Sequence, residues 1–299
     1  MEKARKLSEH VWLLGNGNFN YYLVGNGERA VLFECGCSVG IVFFEQQYRQ
    51  LDHPPRVEHI VLMHSHFDHS CGLPRLKAMF PQAQVWGSAA GKKILSKEKL
   101  VELFFTIDQG VVQRYFDEGF VDEWPDNGYA GGRLEVDRVM EDGEHLVLAD
   151  GPTITLLATP GHSACSISAW IEPDLVLLHS DATGIQVNEN KIAPAYFNDY
   201  TKYLDSIKKL ATFPAVIAGG GHGAIIEGEN AVADYYRLAI QSTRQCHDDI
   251  AARLAAGDDE ADIVERLYTD GVGSGVEYYP EAVMRSSMAG MIPRNSNRD

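Results

Sequence analysis

Apolar residues in this chain come in short runs, each closed by a polar or glycine-rich turn. Residues 11–34, VWLLGNGNFNYYLVGNGERAVLFE, alternate such runs with Asn/Gly turns and predict short strands. HIVLM at 59–63 predicts a buried strand. Residues 73–80 carry helical spacing and stop at Pro81, and AQVWGS beyond them predicts another strand. Over 93–120 the pattern changes to KILSKEKLVELFFTIDQGVVQRYFDEGF, helical in period and rich in aromatic residues. An irregular stretch spans Pro125 to Gly132, after which HLVLAD, TITLLATP, SISAWI and LVLLHSD restore strand character, and AVIAGGG at 215–221 adds one more. From 228 the period is helical to about 268, broken near Gly257 to Asp259, and the tail GVGSGVEYYPEAVMRSSMAGM is mixed. Strands gathered ahead of helices predict two sheets with helices outside them and a helical appendage. No internal repeat, linker or low-complexity segment interrupts this pattern.

What closes the strands matters more than the strands themselves. HIVLM runs into His64, His66, Asp68 and His69; TITLLATP into Gly161 and His162; LVLLHS into Asp181; AVIAGGG into His222. Five of the eleven histidines and two aspartates thus stand just past strand ends, where layered α/β proteins carry their chemistry. Five imidazoles and two carboxylates suit two divalent transition metal ions, Fe, Zn or Mn, with positions left for water. His64 and His66 are two apart, so on an extended segment they point the same way and reach one ion. Asp68 and His69 are adjacent on a turn and diverge toward a second. The other histidines, His10, His53, His59, His145, His179 and His247, are expected to be ordinary packed or solvated side chains. His179, within the strand that ends at Asp181, is the one placed to support a ligand from behind.

Bulk properties narrow the partners. A chain of 299 residues predicts one large α/β domain with an appendage. The boundaries expected are 1–225 for that domain, with a helical insertion at about 93–120, and 226–299 for a helical lid. A formal charge of −16 disfavours nucleic acid and anionic membrane surfaces, and no apolar run reaches the roughly 20 residues of a membrane helix. The N-terminus shows no apolar core of a signal peptide. Cys35, Cys37, Cys71, Cys165 and Cys246 form no CxxC pair and are expected to be reduced thiols of a cytoplasmic protein.

The set HxHxDH, TPGHS, HSDA and GGGHG, in that order, resembles the metallo-β-lactamase superfamily, with NYYLV and LFECGCS resembling its first sheet. The resemblance implies an αββα sandwich with a two-metal site at the edge of the facing sheets. It implies His64, His66 and His162 at one ion, Asp68, His69 and His222 at the other, and Asp181 between them. True β-lactamases lack the bridging aspartate, so Asp181 points to the broader hydrolases: glyoxalase II, acyl-homoserine lactonases and alkylquinolone-pathway thioesterases. Within these, HSHFDHSCGLPRL, Glu34, the insertion, YFNDYTKYLDSIKKL and EYYPEAVMRSSMAGM look most like the quinolone-signal response branch, which cleaves a 2-aminobenzoylacetyl-CoA thioester in quorum sensing. Glu34 stands where the superfamily usually has Asp, Ser180 where it has Gly, and Ile185 near an acidic position of that branch. The implied activity is hydrolysis of an aromatic or β-keto acyl thioester by an activated water that Asp68 orients, with a homodimer left open. The alternatives are a lactonase or glyoxalase-like hydrolase, or a metal-containing regulatory binder. The aromatics Phe104, Phe105, Tyr115, Phe116, Tyr235 and Tyr236 are expected to close the pocket.

Overall fold

The computed structural model describes residues 3–272 and 275–293. Seven strands pair in chain order to form the first sheet: β1 (Arg5–Lys6), β2 (Val11–Gly15), β3 (Asn20–Gly25), β4 (Arg29–Phe33), β5 (Arg56–Val61), β6 (Gln84–Gly87) and β7 (Arg138–Val139). The first four form an antiparallel meander, with Asn/Gly turns between β2 and β3 and between β3 and β4. From β4 onward the pairs are parallel, and each crossover carries helix: α1 (Gly40–Arg49), then α2 (Phe67–Ser70) with α3 (Leu73–Met79), then α4 (Ala89–Leu95) with α5 (Glu98–Asp117). The second half contributes β8 (His145–Val147), β9 (Thr153–Ala158), β10 (Ile167–Glu172), β11 (Val176–Leu178), a ribbon of β12 (Ile185–Asn188) and β13 (Lys191–Ala193), then β14 (Ile217–Gly219) and β15 (Ile226–Glu227). The second sheet runs β15-β14-β11-β10-β9-β8. Helices α6 (Tyr200–Leu210), α7 (Glu229–Ala256), α8 (Glu260–Gly271) and α9 (Glu281–Ala289) complete the chain.

Strand periodicity sorts the apolar side chains into layers. Along β4, Val31 and Phe33 join one core with Ile154, Leu156, Ile167, Ala169 and Ile171 of the second sheet, so the two sheets meet face to face. Ala30 and Leu32 turn the other way, into a core shared with Phe44 of α1, Leu76 of α3 and Val101 and Val112 of α5. On the far side, Trp170 and Leu177 pack with Tyr203 and Ile207 of α6, Tyr236 of α7, Ile263 of α8 and Met288 of α9. Both faces of each sheet are therefore covered, which is why the strands read as near-continuous apolar runs. The result is the αββα sandwich with C-terminal helices that the sequence led us to expect. Among the described residues no helix is long and apolar enough to cross a membrane.

The break expected near Gly257 to Asp259 is present in the appendage. The 228–268 pattern is two helices, α7 and α8, separated at Gly257, whose left-handed φ of 91° ends α7. Residues 273, 274 and 294–299 of the expected lid lie outside the described residues.

Candidate metal centre

Four strand ends converge at one edge of the sandwich. His64 and His66 lie on extended chain after β5, and Asp68 and His69 on the single turn of α2. His162 follows β9, Asp181 follows β11 and His222 follows β14. All seven predicted side chains come together. The ligand atoms of His64, His66 and His162, of His64, His69 and Asp181, and of Asp68, His69 and His222 each lie within 4.8 Å of one another. His66 Nδ1 is 3.2 Å from His64 Nε2 and 2.9 Å from His162 Nε2. His69 Nε2 is 3.0 Å from His222 Nε2, and both face Asp68 Oδ2, at 3.5 and 3.3 Å. Asp181 stands between the two groups, with Oδ2 at 3.5 Å from His162 and 3.3 Å from His69, and Oδ1 at 3.8 Å from His222. Gly221 makes this approach achievable, since a Cβ there would sit 2.5 Å from the His69 ring and 3.1 Å from Asp181.

Four of the five imidazoles are oriented from behind. His162 Nδ1 donates to the Ala195 carbonyl at 2.8 Å, and His222 Nδ1 donates to the carbonyl of Asn18. His69 Nδ1 faces the Glu34 carboxylate at 2.8 Å, and His64 Nδ1 faces the Ser180 hydroxyl at 3.3 Å. An imidazole that donates outward through Nδ1 turns the Nε2 lone pair inward. His66 is the exception, presenting Nδ1 to its neighbours. Lone pairs brought within about 3 Å of each other, beside two carboxylates, repel unless a cation lies among them, so the donor set fits divalent transition ions.

The electrostatics agree. Burial, and then the neighbouring imidazoles, hold His64 well below the usual histidine range, and burial followed by His162 lowers His66 to about 3. Burial alone would raise Asp68 and Asp181, but His69 and His222 outweigh it and hold both carboxyls well below the carboxylate range. His69 and His222 go the other way: burial opposes their charge, yet Glu34 and then Asp181 raise His69 well above the ordinary value, and Asp181 and then Asp68 raise His222. His64, His66 and His162 are thus kept neutral and both carboxylates ionised, the protonation states that bind metal, and an ion at the other two histidines would displace their protons.

Several contributors escape sequence reasoning. Cys165 is buried and its Sγ ties two of the loops together. It lies 3.3 Å from Ser65 N, 3.1 Å from Ser65 Oγ and 3.2 Å from Ser163 Oγ, so it joins the His64–His66 segment to the residue after His162. Tyr279 packs edge-on against Phe67 and His222, at ring-centroid distances of 5.8 and 6.2 Å, and burial, followed by the nearby Asp68 carboxylate, pushes its hydroxyl up. Glu34 and Ser180, visible in the sequence only as departures from a family pattern, both sit at positive φ, 73° and 49°, and each backs a histidine. None of the other histidines joins the cluster. His10 pairs with Asp174 at 2.7 Å and His59 accepts from Trp86 Nε1 at 3.1 Å. His179, buried against Tyr235, bonds Thr183 and the Ser180 carbonyl, so it steadies the segment carrying Asp181 without touching a candidate ligand.

Over the cluster lies a cavity of about 190 Å³, whose apolar walls include Phe104 and Ile107 of α5, Phe197, and Val283 and Met284 of α9, with Tyr279 beside the cluster. Of the six aromatics expected to line it, Phe104 does. Phe105 stacks on Tyr129 at 3.7 Å, Tyr115, Tyr235 and Tyr236 are buried elsewhere, and Phe116 points to solvent. Helix period explains the split: Phe104 and Ile107, three apart, share a face, whereas Val101, Phe105, Asp108 and Val112 form the buried face behind it. The long α7 packs on the second sheet's outer core, so the C-terminal roof comes from Tyr279 and α9 instead.

The family model described as metallo-beta-lactamase superfamily matches residues 14–222. The chain is similar to the beta-lactamase-like protein 2 homolog of Caenorhabditis elegans, 24% identical over 91% of this chain and 88% of that protein. It is similar to an atrochrysone carboxyl ACP thioesterase of Aspergillus fumigatus, 23% identical over 70% of this chain and 51% of that protein, about half its length. In structure it resembles the archaeal metallo-beta-lactamase superfamily protein ST1585 from Sulfolobus tokodaii, with a TM-score of 0.57 and 20% identity over 80% of this chain and 86% of that one.

Proposed function

The chain belongs to the metallo-β-lactamase superfamily, and from that premise we propose a binuclear metal-dependent hydrolase that cleaves the thioester of a compact aromatic or β-keto acyl group. His64, His66 and His162 would hold one divalent ion, Asp68, His69 and His222 the other, and Asp181 would touch both. When bound, such ions lower the pKa of a water and polarise a carbonyl oxygen. The remaining work belongs to the chain. Asp68, kept ionised by His69 and His222, accepts a hydrogen bond from the attacking water and orients it. The Tyr279 ring closes the cavity beside that carboxylate. Phe104, Ile107, Phe197, Val283 and Met284 shield the reacting carbonyl from bulk water and hold the acyl group flat against the cluster.

The observation that carries this reading is the cavity itself. At about 190 Å³ it falls below the roughly 300 Å³ at which pockets for drug-sized ligands begin, and away from the cluster residues its walls are mainly apolar. A small planar acyl group fits it better than a long alkyl chain or a charged peptide. Similarity to an ACP thioesterase favours a thioester over a lactone, and a soft thiolate is a good leaving group beside transition metals. The looser resemblance to alkylquinolone-pathway thioesterases points to the same class. The test compares kcat/KM for an aroylacetyl thioester, an acyl-homoserine lactone and S-lactoylglutathione on metal-loaded protein. The thioester is expected to be fastest. Were it slowest by more than about tenfold, roughly 1.4 kcal/mol of transition-state preference, the substrate class would be wrong.

A further inference from the structure

Two cavities meet the cluster, and one ring stands between them. Beside the apolar cavity of about 190 Å³ lies a second recess of about 270 Å³. Among the described residues, Ile185, His222 and Tyr279 line both. His222 belongs to the cluster, so the partition between the two spaces is Ile185 and Tyr279. On its far side the recess offers Phe19 and Tyr278 as apolar surface. The partition is anchored on several sides. The Tyr279 ring packs on Phe67 and His222, and both of its chain neighbours are seated on α5. Tyr278 packs on Tyr115 at a ring-centroid distance of 5.8 Å. Pro280, just ahead of α9, lies so close to the helix that a Cβ on Gly110 would sit 3.0 Å from its Cγ. Ile185 opens β12 and pairs with Ala193 of β13.

An acyl group whose carbonyl lies at the cluster extends into the apolar cavity only as far as the walls allow. Phe104 and Ile107 of α5 and Val283 and Met284 of α9 stand on packed helices. Toward the second recess the cover is instead two side chains with open space behind them. Where there is room, each further buried methylene raises kcat/KM by about fourfold. Where a wall is already met, the same methylene overfills the site and the gain reverses. We propose that Tyr279 sets the upper length of the acyl group: its ring, with Ile185 beside it, closes the apolar cavity against the second recess, so that a compact acyl group fits and a longer straight chain meets the ring. The inference rests on the hydrolase reading above and adds the residue that fixes the size of the acyl half. The role is steric, so it needs the ring and not the hydroxyl. An alanine at 279 would join the two spaces and let a chain run on against Phe19 and Tyr278.

The experiment uses the butanoyl, hexanoyl and octanoyl thioesters of N-acetylcysteamine with metal-loaded wild-type protein, Tyr279→Phe, Tyr279→Ala and Ile185→Ala. In the wild type, kcat/KM is expected to fall about tenfold or more from the butanoyl to the octanoyl thioester. Tyr279→Phe should keep that ratio. Tyr279→Ala should raise the octanoyl-to-butanoyl ratio about tenfold or more with its metal content unchanged. Ile185→Ala should move the ratio in the same direction by less, and it carries the test if Tyr279→Ala fails to fold. Three results overturn the proposal: a wild type that prefers the octanoyl thioester, a ratio unmoved in the alanine variant that carries the test, or a Tyr279→Phe ratio shifted as far as that of Tyr279→Ala. If no thioester turns over at all, the reaction class fails, and the partition is judged by calorimetric binding of butanoate and octanoate to the same metal-loaded proteins. Octanoate that gains about tenfold over butanoate in Tyr279→Ala upholds the partition. An unmoved preference, or no binding of either acid, overturns it.

Discussion

Removing the Glu34 carboxylate tests whether the cluster is a metal site supported from behind. Glu34 is 2% exposed and its Oε2 lies 2.8 Å from His69 Nδ1. A hydrogen bond to a charged partner in such surroundings contributes about 1.5–3 kcal/mol. At about 1.4 kcal/mol per tenfold, this corresponds to roughly ten- to a hundredfold in affinity, and supporting carboxylates behind metal-bound histidines carry about the same range. Glu34→Ala should therefore weaken Zn²⁺ binding by one to two orders of magnitude, read by competition with a chromophoric chelator. The backbone supplies an internal control. Glu34 sits at φ 73°, a conformation that costs a non-glycine residue on the order of 1 kcal/mol. Glu34→Gly should lose the same metal affinity as Glu34→Ala, while the metal-free protein is more stable to urea than Glu34→Ala by about 1 kcal/mol. Zinc binding by Glu34→Ala within about threefold of wild type, or a glycine variant that binds as tightly as wild type, would refute the reasoning.

Other consequences are independent of Glu34. Cys165→Ala should separate the two loops that its sulfur joins and weaken metal binding severalfold, whereas Cys165→Ser should retain most of it; equal losses in the two variants would show that the contacts of Ser65 and Ser163 are incidental. Asp108 is buried on α5, accepts from Ser38 N at 3.0 Å, and is raised by burial to about 7. The folded state thus keeps a proton that the unfolded chain releases near pH 4, so this group's contribution to stability falls as pH rises from about 4 to about 7. Asp108→Asn should accordingly stabilise more at about pH 8 than at about pH 5 in urea titrations, and an equal gain at both would contradict the assignment.

Much of this architecture was legible along the chain because its causes are local. Buried strands announce themselves as short apolar runs, and the ligand-bearing turns follow them directly, so His64, His66, Asp68, His69, His162, Asp181 and His222 could be picked out by position alone. What stayed hidden depends on contacts between distant segments. Cys165 reads as one more small buried residue until Ser65, far along the chain, is placed against it. Tyr279 stands in a short irregular stretch ahead of α9, and only the fold brings it to Asp68. The aromatic pocket is an intermediate case. Helical spacing separates Phe104 and Ile107 from Phe105 and Val112, but the choice of which face meets the cluster belongs to tertiary packing. The roof likewise falls to α9 rather than α7, because α7 is committed to covering the second sheet.

Elemental analysis of anaerobically loaded protein tests the central claim most directly. Two triads joined by Asp181 predict about two equivalents of Fe, Zn or Mn per chain, and the loss of at least one of them in Asp181→Ala while the sandwich core still folds. Less than about half an equivalent in the loaded wild type, or an undiminished content in Asp181→Ala, would contradict the account.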